Sequence, residues 1–236
     1  MITSKQNDIY KHLLKLKKAK YRNVHQEALI FGQDLIEEAK KANKVLQYIS
    51  TAPHGNHLVI SKELMDTLLD YDMKDPIGAI VSTKQDLQSY DGHLLMCDTI
   101  QDPRNLGALM RSAHAFGFHH IILSPECVDP YHELALRAAK GSTFHVTIHQ
   151  GSLKDSIVEL KKHGYTIVAS SHIKTDAMPT TFKKPVALIL GNEGHGISED
   201  LLALADHFYH IDTQGVDSLN VSVAGSIMMY MVGKNV

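Results

Sequence analysis

Apolar and polar positions along this chain follow two regimes. Before residue 82 the apolar runs are short and unevenly spaced. Leu29–Lys41, LIFGQDLIEEAKK, predicts an amphipathic helix with Leu29, Ile36 and Ala39 on one face. Val45–Ile49 predicts a strand, Leu58–Ile60 a second, and Ile77–Val81 a third. Between the last two, Ser61 is placed to cap a helix over Lys62–Leu69 with Leu64, Leu68 and Leu69 inward. The stretch Ser82–His93 is polar and aperiodic, which sets a boundary between a first unit, residues 1–85, and a second, residues 92–236.

From Leu94 the alternation becomes regular. Strands are predicted at Leu94–Cys97, His120–Leu123, His145–Ile148, Tyr165–Ala169, Pro185–Leu190 and Phe208–Ile211. Helices are predicted at Asn105–Phe116, Tyr131–Lys140, Ser152–Lys162, from Asp200, and over Leu219–Val232. Such alternation predicts an α/β fold with a mostly parallel sheet and helices on both faces. Ligands of open parallel sheets sit beyond the carboxyl ends of the strands. Three Gly- and Asn-containing segments begin there: Gln101–Gly117 (QDPRNLGALMRSAHAFG), Leu190–Ser198 (LGNEGHGIS) and Val216–Gly225 (VDSLNVSVAG). Topology alone therefore predicts one cleft built by all three.

Composition narrows the classes. The 236 residues are 44% apolar, ordinary for a chain that buries a sizeable core. No run approaches the roughly 20 apolar residues of a membrane span, and the start of the chain has no apolar signal region. Cys97 and Cys127 lack metal-ligand spacing and adjoin apolar runs, so they read as buried thiols in a reducing compartment, with the cytoplasm as the expected location. The sixteen histidines are scattered, and adjacent strand residues such as His119 and His120 point to opposite faces, so no metal is expected. The net charge is only −2, but seven basic residues (Lys5, Lys11, Lys15, Lys17, Lys18, Lys20, Arg22) precede Asn23 against the single acid Asp8. That run reads either as a solvated helix face or as an arm that contacts phosphates.

Taken singly, each segment has a bland reading. GNEGHGIS can be a strand-to-helix turn capped by Ser198; Arg111 can be a surface ion pair; Ser218 and Asn220 can be a cap on a helix packed against the sheet. The spacing fits neither a phosphate loop followed by Lys-Ser/Thr nor a dinucleotide fingerprint, which would sit early and be followed by an acid.

Together and in this order, the three segments resemble the signatures of the SpoU/TrmH family of RNA ribose 2′-O-methyltransferases, over roughly the last 145 residues. The resemblance implies a knotted α/β domain, S-adenosylmethionine as methyl donor and RNA as acceptor. Ribosomal RNA is the favoured acceptor. A transfer-RNA ribose methyltransferase and a catalytically silent RNA-binding protein of the same fold are the alternatives. It implies catalytic roles for Asn105, Arg111, Glu193, Ser218 and Asn220. Arg111 is the family's presumed catalytic residue. It assigns the donor to Leu190, Gly191, Asn192, Gly194, Gly196, Ile211, Leu219 and Asn220. Gly141, in the partly matching turn Ala139-Lys140-Gly141-Ser142, is assigned to the donor cleft as well. The first unit resembles the small α/β RNA-binding domain that precedes the catalytic domain in ribosomal-RNA members, although the usual Glu-Gly pair is here Phe31-Gly32. The final helix is apolar almost all round, more than one buried face requires, and family members pair through this region. A homodimer with Ala224–Val232 in its interface is therefore expected.

Overall fold

A computed structural model describes residues 1–69, 71, 73–85, 90–171, 182, 185–216 and 218–234. Two sheets organise the chain. The first has strands β1 (Glu27–Phe31), β2 (Val45–Ser50), β3 (Leu58–Val59) and β4 (Ile77–Ser82), in the order β1-β4-β2-β3. β4 runs antiparallel to both neighbours, whereas β2 and β3 are parallel. Around it lie helices α1 (Asp8–Leu16), α2 (Ala19–His25), α3 (Gln33–Lys41) and α4 (Lys62–Leu68). Ser61 caps α4 through its side chain, as its position predicts.

The helix predicted over Leu29–Lys41 is in fact a strand and a helix. Gly32, at φ +99°, ends β1 and opens α3. No helix passes through that backbone conformation, and glycine adopts it without a Cβ penalty. In β1 the inward residues are Ala28 and Ile30, a period of two.

The basic run is not an arm. It folds into α1 and α2, with Asn7 accepting from the Ile9 and Tyr10 amides at the start of α1. Tyr10, Leu13 and Leu16 are fully buried against Ile49, Ile60, Leu64 and Leu68. The Tyr10 hydroxyl donates to the Leu64 carbonyl at 3.1 Å.

The second sheet has six strands, all parallel, in the order β10-β8-β9-β5-β6-β7. The strands are β5 (Leu94–Cys97), β6 (His120–Leu123), β7 (Thr147–Gln150), β8 (Thr166–Ser170), β9 (Val186–Leu190) and β10 (His207–Tyr209). β7 begins two residues later than the sequence predicts. The helices are α5 (Pro103–Ala115), α6 (Glu133–Ala139), α7 (Leu153–Lys162), α8 (Glu199–Leu202) and α9 (Val221–Gly233). β5 and β9 lie side by side in the middle and are buried at every position, as expected of strands covered on both faces. Leu95, Cys97, Leu188 and Leu190 face α5, α6 and α9. Leu94, Met96, Ala187 and Ile189 face α7 and α8. Both cysteines are free and buried; burial pushes the Cys97 thiol well up.

The two units share a core. Ala28, Ile30, Ile36, Ala39, Ala79 and Val81 of the first pack with Tyr131, Leu136 and Phe144 of the second. Polar bonds border it. The Arg22 guanidinium meets Asp129 at 2.6 Å, with side chains only 7% and 13% exposed, and also donates to the Leu16 carbonyl. Glu38 meets His145 at 2.7 Å, and hydrogen bonds from Lys41 and His145 hold its carboxyl below the usual range. Arg22 is therefore a buried bond between the units and is unavailable to a phosphate.

Candidate active site

α5 starts two residues before the predicted Asn105: Asp102 accepts from the Arg104 amide at 2.7 Å and Pro103 occupies the first helical position. This places Asn105 in the first turn, beyond the carboxyl end of β5. β9 delivers the second segment to the same place, and the third enters α9 there. Asn220 caps α9 by accepting from the Ser222 amide at 2.9 Å and from the Ser222 hydroxyl at 2.6 Å.

Three side chains from the three segments form one chain of hydrogen bonds. Asn220 Nδ2 donates to Asn105 Oδ1 at 3.0 Å, and Asn105 Nδ2 donates to Glu193 Oε1 at 2.7 Å. The direction is set throughout. With its oxygen accepting from Ser222, Asn220 must present its amide to Asn105, which must then present its own amide to the carboxylate.

The Leu190–Ser198 loop is tightly folded. Asn192 and Gly196 bridge backbone to backbone, and the Asn192 side-chain oxygen accepts from the Gly194 and His195 amides. A Cβ on Gly191 would collide with the Gly196 carbonyl and the Ile197 amide. Around Gly196, at φ +71°, a Cβ would meet nothing within 4 Å, so that side of the turn is open. Gly225 lets α9 approach Leu190 and Leu109, which draws the third segment towards the second.

The remaining expected residues divide. Ser218 is exposed, Ile211 is half-buried just after β10, and Leu219 is half-buried just before α9. Leu190 is fully buried with its carbonyl accepting from the Asp98 amide, so it shapes the cleft from below. Arg111 is exposed on α5 and has no partner among the described residues. It lies about 9 Å along the helix from Asn105 and roughly 120° around it. Gly141 does not join the others. At φ +88° it packs against the N-terminal unit, where a Cβ would meet Glu38 Cγ at 2.5 Å. Its assignment to the donor cleft is corrected on that ground: α3 occupies the space beside it. Residue 217, within the third segment, lies outside the described residues.

Three residues that the sequence reading did not single out, Asp98, Thr99 and Ser222, tie these loops together. Asp98 accepts from Ser198 and Thr99, and Thr99 accepts from Asn192. Ser222 orients Asn220. The one sequence signal for Asp98 is a carboxylate placed directly after four apolar strand residues.

Among the described residues, no group of three or more His, Cys, Asp or Glu is arranged to hold a metal ion, and no helix is long and apolar enough to cross a membrane. A cavity of about 520 Å³ lies at the opposite, amino end of the strands, lined by Tyr90, Asp91, Gly92, Glu159, His163, Tyr165 and Pro185. It is remote from the signature loops.

Comparisons with known proteins place the fold in a family. Residues 92–230 match the SpoU rRNA Methylase family. The chain is 29% identical, over 97% of both sequences, to the 23S rRNA (guanosine(2553)-2′-O)-methyltransferase RlmP of Bacillus subtilis. Among solved structures it is similar to an AdoMet-bound rRNA methyltransferase from Sinorhizobium meliloti, with TM-score 0.86 and 26% identity over 98% of this chain and 95% of that one. It is also similar to an RNA 2′-O ribose methyltransferase, with TM-score 0.78 and 26% identity over 98% and 96%. The six-stranded parallel sheet, the three converging segments and these matches together establish that the chain belongs to the SpoU rRNA methylase family and is an S-adenosylmethionine-dependent RNA ribose 2′-O-methyltransferase.

Proposed function

We propose that the acceptor is ribosomal RNA, and that the reaction is carried by Arg111 and by the Asn220–Asn105–Glu193 chain. The observation that carries the reading is that chain, which joins one polar side chain from each segment at the carboxyl end of the sheet. Ribosomal RNA is favoured by two features. One is the small α/β unit docked ahead of the catalytic domain. The other is similarity across 97% of both chains to an enzyme named for 23S rRNA.

The residues fit the donor. The open side of Gly196 and the exposed Gly194 let a ligand approach this turn closely, and the half-buried Ile211 and Leu219 supply apolar side chains. Leu190, Gly191, Asn192, Gly194, Gly196, Ile211, Leu219 and Asn220 would hold it, with Ser218 at the rim. When bound, S-adenosylmethionine supplies an electrophilic methyl group.

The protein's part is positioning and charge. Arg111 keeps its proton at any ordinary pH, so it is no general base. Its planar fork orients the ribose 2′-oxygen, contacts a neighbouring phosphate and stabilises developing negative charge. Asn105 holds one oxygen of Glu193 and leaves the other for the reactants.

The apolar residues Val223, Ile227, Tyr230 and Met231 of α9 are 38–48% exposed. They recur at three- and four-residue spacing and form one stripe. A second copy of the chain covers that stripe in our reading, giving a two-fold homodimer.

Mass-spectrometric mapping of 2′-O-methyl groups in RNA from cells with and without the protein tests the acceptor. Loss of one ribosomal site is expected. Loss confined to transfer RNA would transfer the reading to that acceptor. Calorimetry that finds no donor binding would leave only an RNA-binding role.

A further inference from the structure

Asp98 and Thr99, the two residues just after β5, tie the signature loops together without belonging to the proposed reactive set. Asp98 is 7% exposed, and no cation faces it among the described residues. A buried carboxylate of this kind is tolerated only when donors surround it. One oxygen accepts from the Ser198 amide and from the Ser198 hydroxyl, both at 2.9 Å; the other accepts from the Thr99 hydroxyl at 3.1 Å. Ser198 is the N-cap residue of α8, yet its side chain makes no capping bond to that helix. Its hydroxyl serves Asp98 instead.

Thr99 is as unusual. It is β-branched and sits at φ +58°, a left-handed conformation that such residues avoid. Three bonds hold it there. Its amide donates to Ser124 Oγ at 3.0 Å, its hydroxyl to Asp98, and its carbonyl accepts from Asn192 Nδ2 at 2.8 Å. Asn192 in turn organises the amides of Gly194 and His195. The Leu190–Ser198 loop is thus tied to the β5–α5 connection at both ends, through Asn192–Thr99 and through Ser198–Asp98. Glu193 lies between the two ties, and Asn105 lies just beyond the strained turn.

We propose that Asp98 and Thr99 are positioning residues for methyl transfer, which lock the Glu193 loop to the start of α5 so that Glu193 meets Asn105. The proposal rests on the reading of Glu193 as a site residue. Neither Asp98 nor Thr99 needs to touch a reactant. Their effect passes through the loop, where a displacement of about 1 Å can cost on the order of 10²-fold in rate.

The test is a double-variant cycle on kcat. Tritiated S-adenosylmethionine is used at saturation, with ribosomal RNA from cells lacking the protein. Asp98→Asn keeps the volume but cannot accept all three bonds, and it should lower kcat about 10- to 100-fold per folded molecule. In a Glu193→Gln background the same change should cost less than about threefold, because the residue it positions is already disabled. Losses that multiply independently in the cycle would overturn the proposal and leave the reading of Glu193 standing. Wild-type turnover of Glu193→Gln alone would overturn that reading and the proposal with it. If Asp98→Asn does not fold, Ser198→Ala carries the cycle, since it removes one hydroxyl from an exposed residue. Ser198→Thr should restore the rate. Equal rates for the Ala and Thr variants would count against the proposal.

Discussion

Asn105 and Glu193 stand 88 positions apart in the chain and meet side chain to side chain at 2.7 Å. The contact has a polarity. Because Asn220 donates to the oxygen of Asn105, only the amide of Asn105 is left for the carboxylate. Asn105→Asp should therefore disable the site more than its small size change implies. Its carboxylate would face Glu193, and like charges at that distance disfavour joint ionisation. The expected outcome is a loss of turnover exceeding that of Asn105→Ala, with the difference shrinking as pH falls towards the carboxylate range. Equal losses at every pH would show that the contact has no electrostatic role.

Arg111→Ala should abolish most methyl transfer while donor affinity stays close to wild type. Arg111 belongs to α5, whereas the donor residues come from the second and third segments. Loss of a charged stabiliser of the transition state costs about 2.7–4 kcal/mol, or roughly 10²–10³ in rate. Arg111→Lys should recover little, because an ammonium lacks the planar fork. Steady-state rates with calorimetry of the donor check this. Wild-type turnover in both variants would return Arg111 to an ordinary surface role.

Arg22→Met should destabilise the whole chain by about 3–5 kcal/mol, the usual effect of removing one partner of a buried ion pair. Asp129 would be left buried without its cation. Adding Asp129→Leu should recover part of the loss, since an apolar pair of similar volume leaves no uncompensated charge. Denaturant unfolding followed by circular dichroism reads both. If Arg22→Met unfolds at the wild-type midpoint, the bond between the two units contributes nothing to stability.

Lys15, Lys18 and Lys20 are exposed at the end of α1 and the start of α2. Their joint replacement by glutamine should flatten the salt dependence of RNA binding by about two units of slope, at roughly 0.7–0.9 per phosphate contact. Donor affinity should not change. Substitution is the right probe here. Deleting the segment would remove Tyr10, Leu13 and Leu16 from the core. An unchanged slope in filter binding would mark this surface as solvated only.

Ile227→Glu should yield a folded monomer. Ile227 is 38% exposed in the isolated protomer, so a carboxylate there reaches water unless a second copy covers it. Sedimentation velocity at micromolar concentration should show the wild type as a dimer and the variant as a monomer with an unchanged circular dichroism spectrum. A wild-type monomer would refute the pairing.

The sequence by itself determined the α/β class, most strands of the six-stranded sheet, and the ends at which three segments emerge. Runs such as VALIL and LLMC, too short for a helix and bounded by polar turns, read as strands buried on both faces, and Ser61 and Ser152 mark helix starts by local chemistry. Local chemistry failed where a single backbone angle decides, as at Gly32: the apolar residues on either side fit a helix until φ +99° breaks it. It failed also where charge met burial. Arg22 reads as one more cation in a basic run, and only docking of the second unit makes it a buried partner of Asp129, 107 positions away. The meeting of Asn220, Asn105 and Glu193, the seat of Gly141 against Glu38, and the ties from Asp98 and Thr99 belong to the tertiary structure alone. Each depends on distances between segments set by how β5 and β9 lie side by side and by how closely Gly225 lets α9 approach them. No short-range pattern encodes those distances, because they arise from the packing of the whole core.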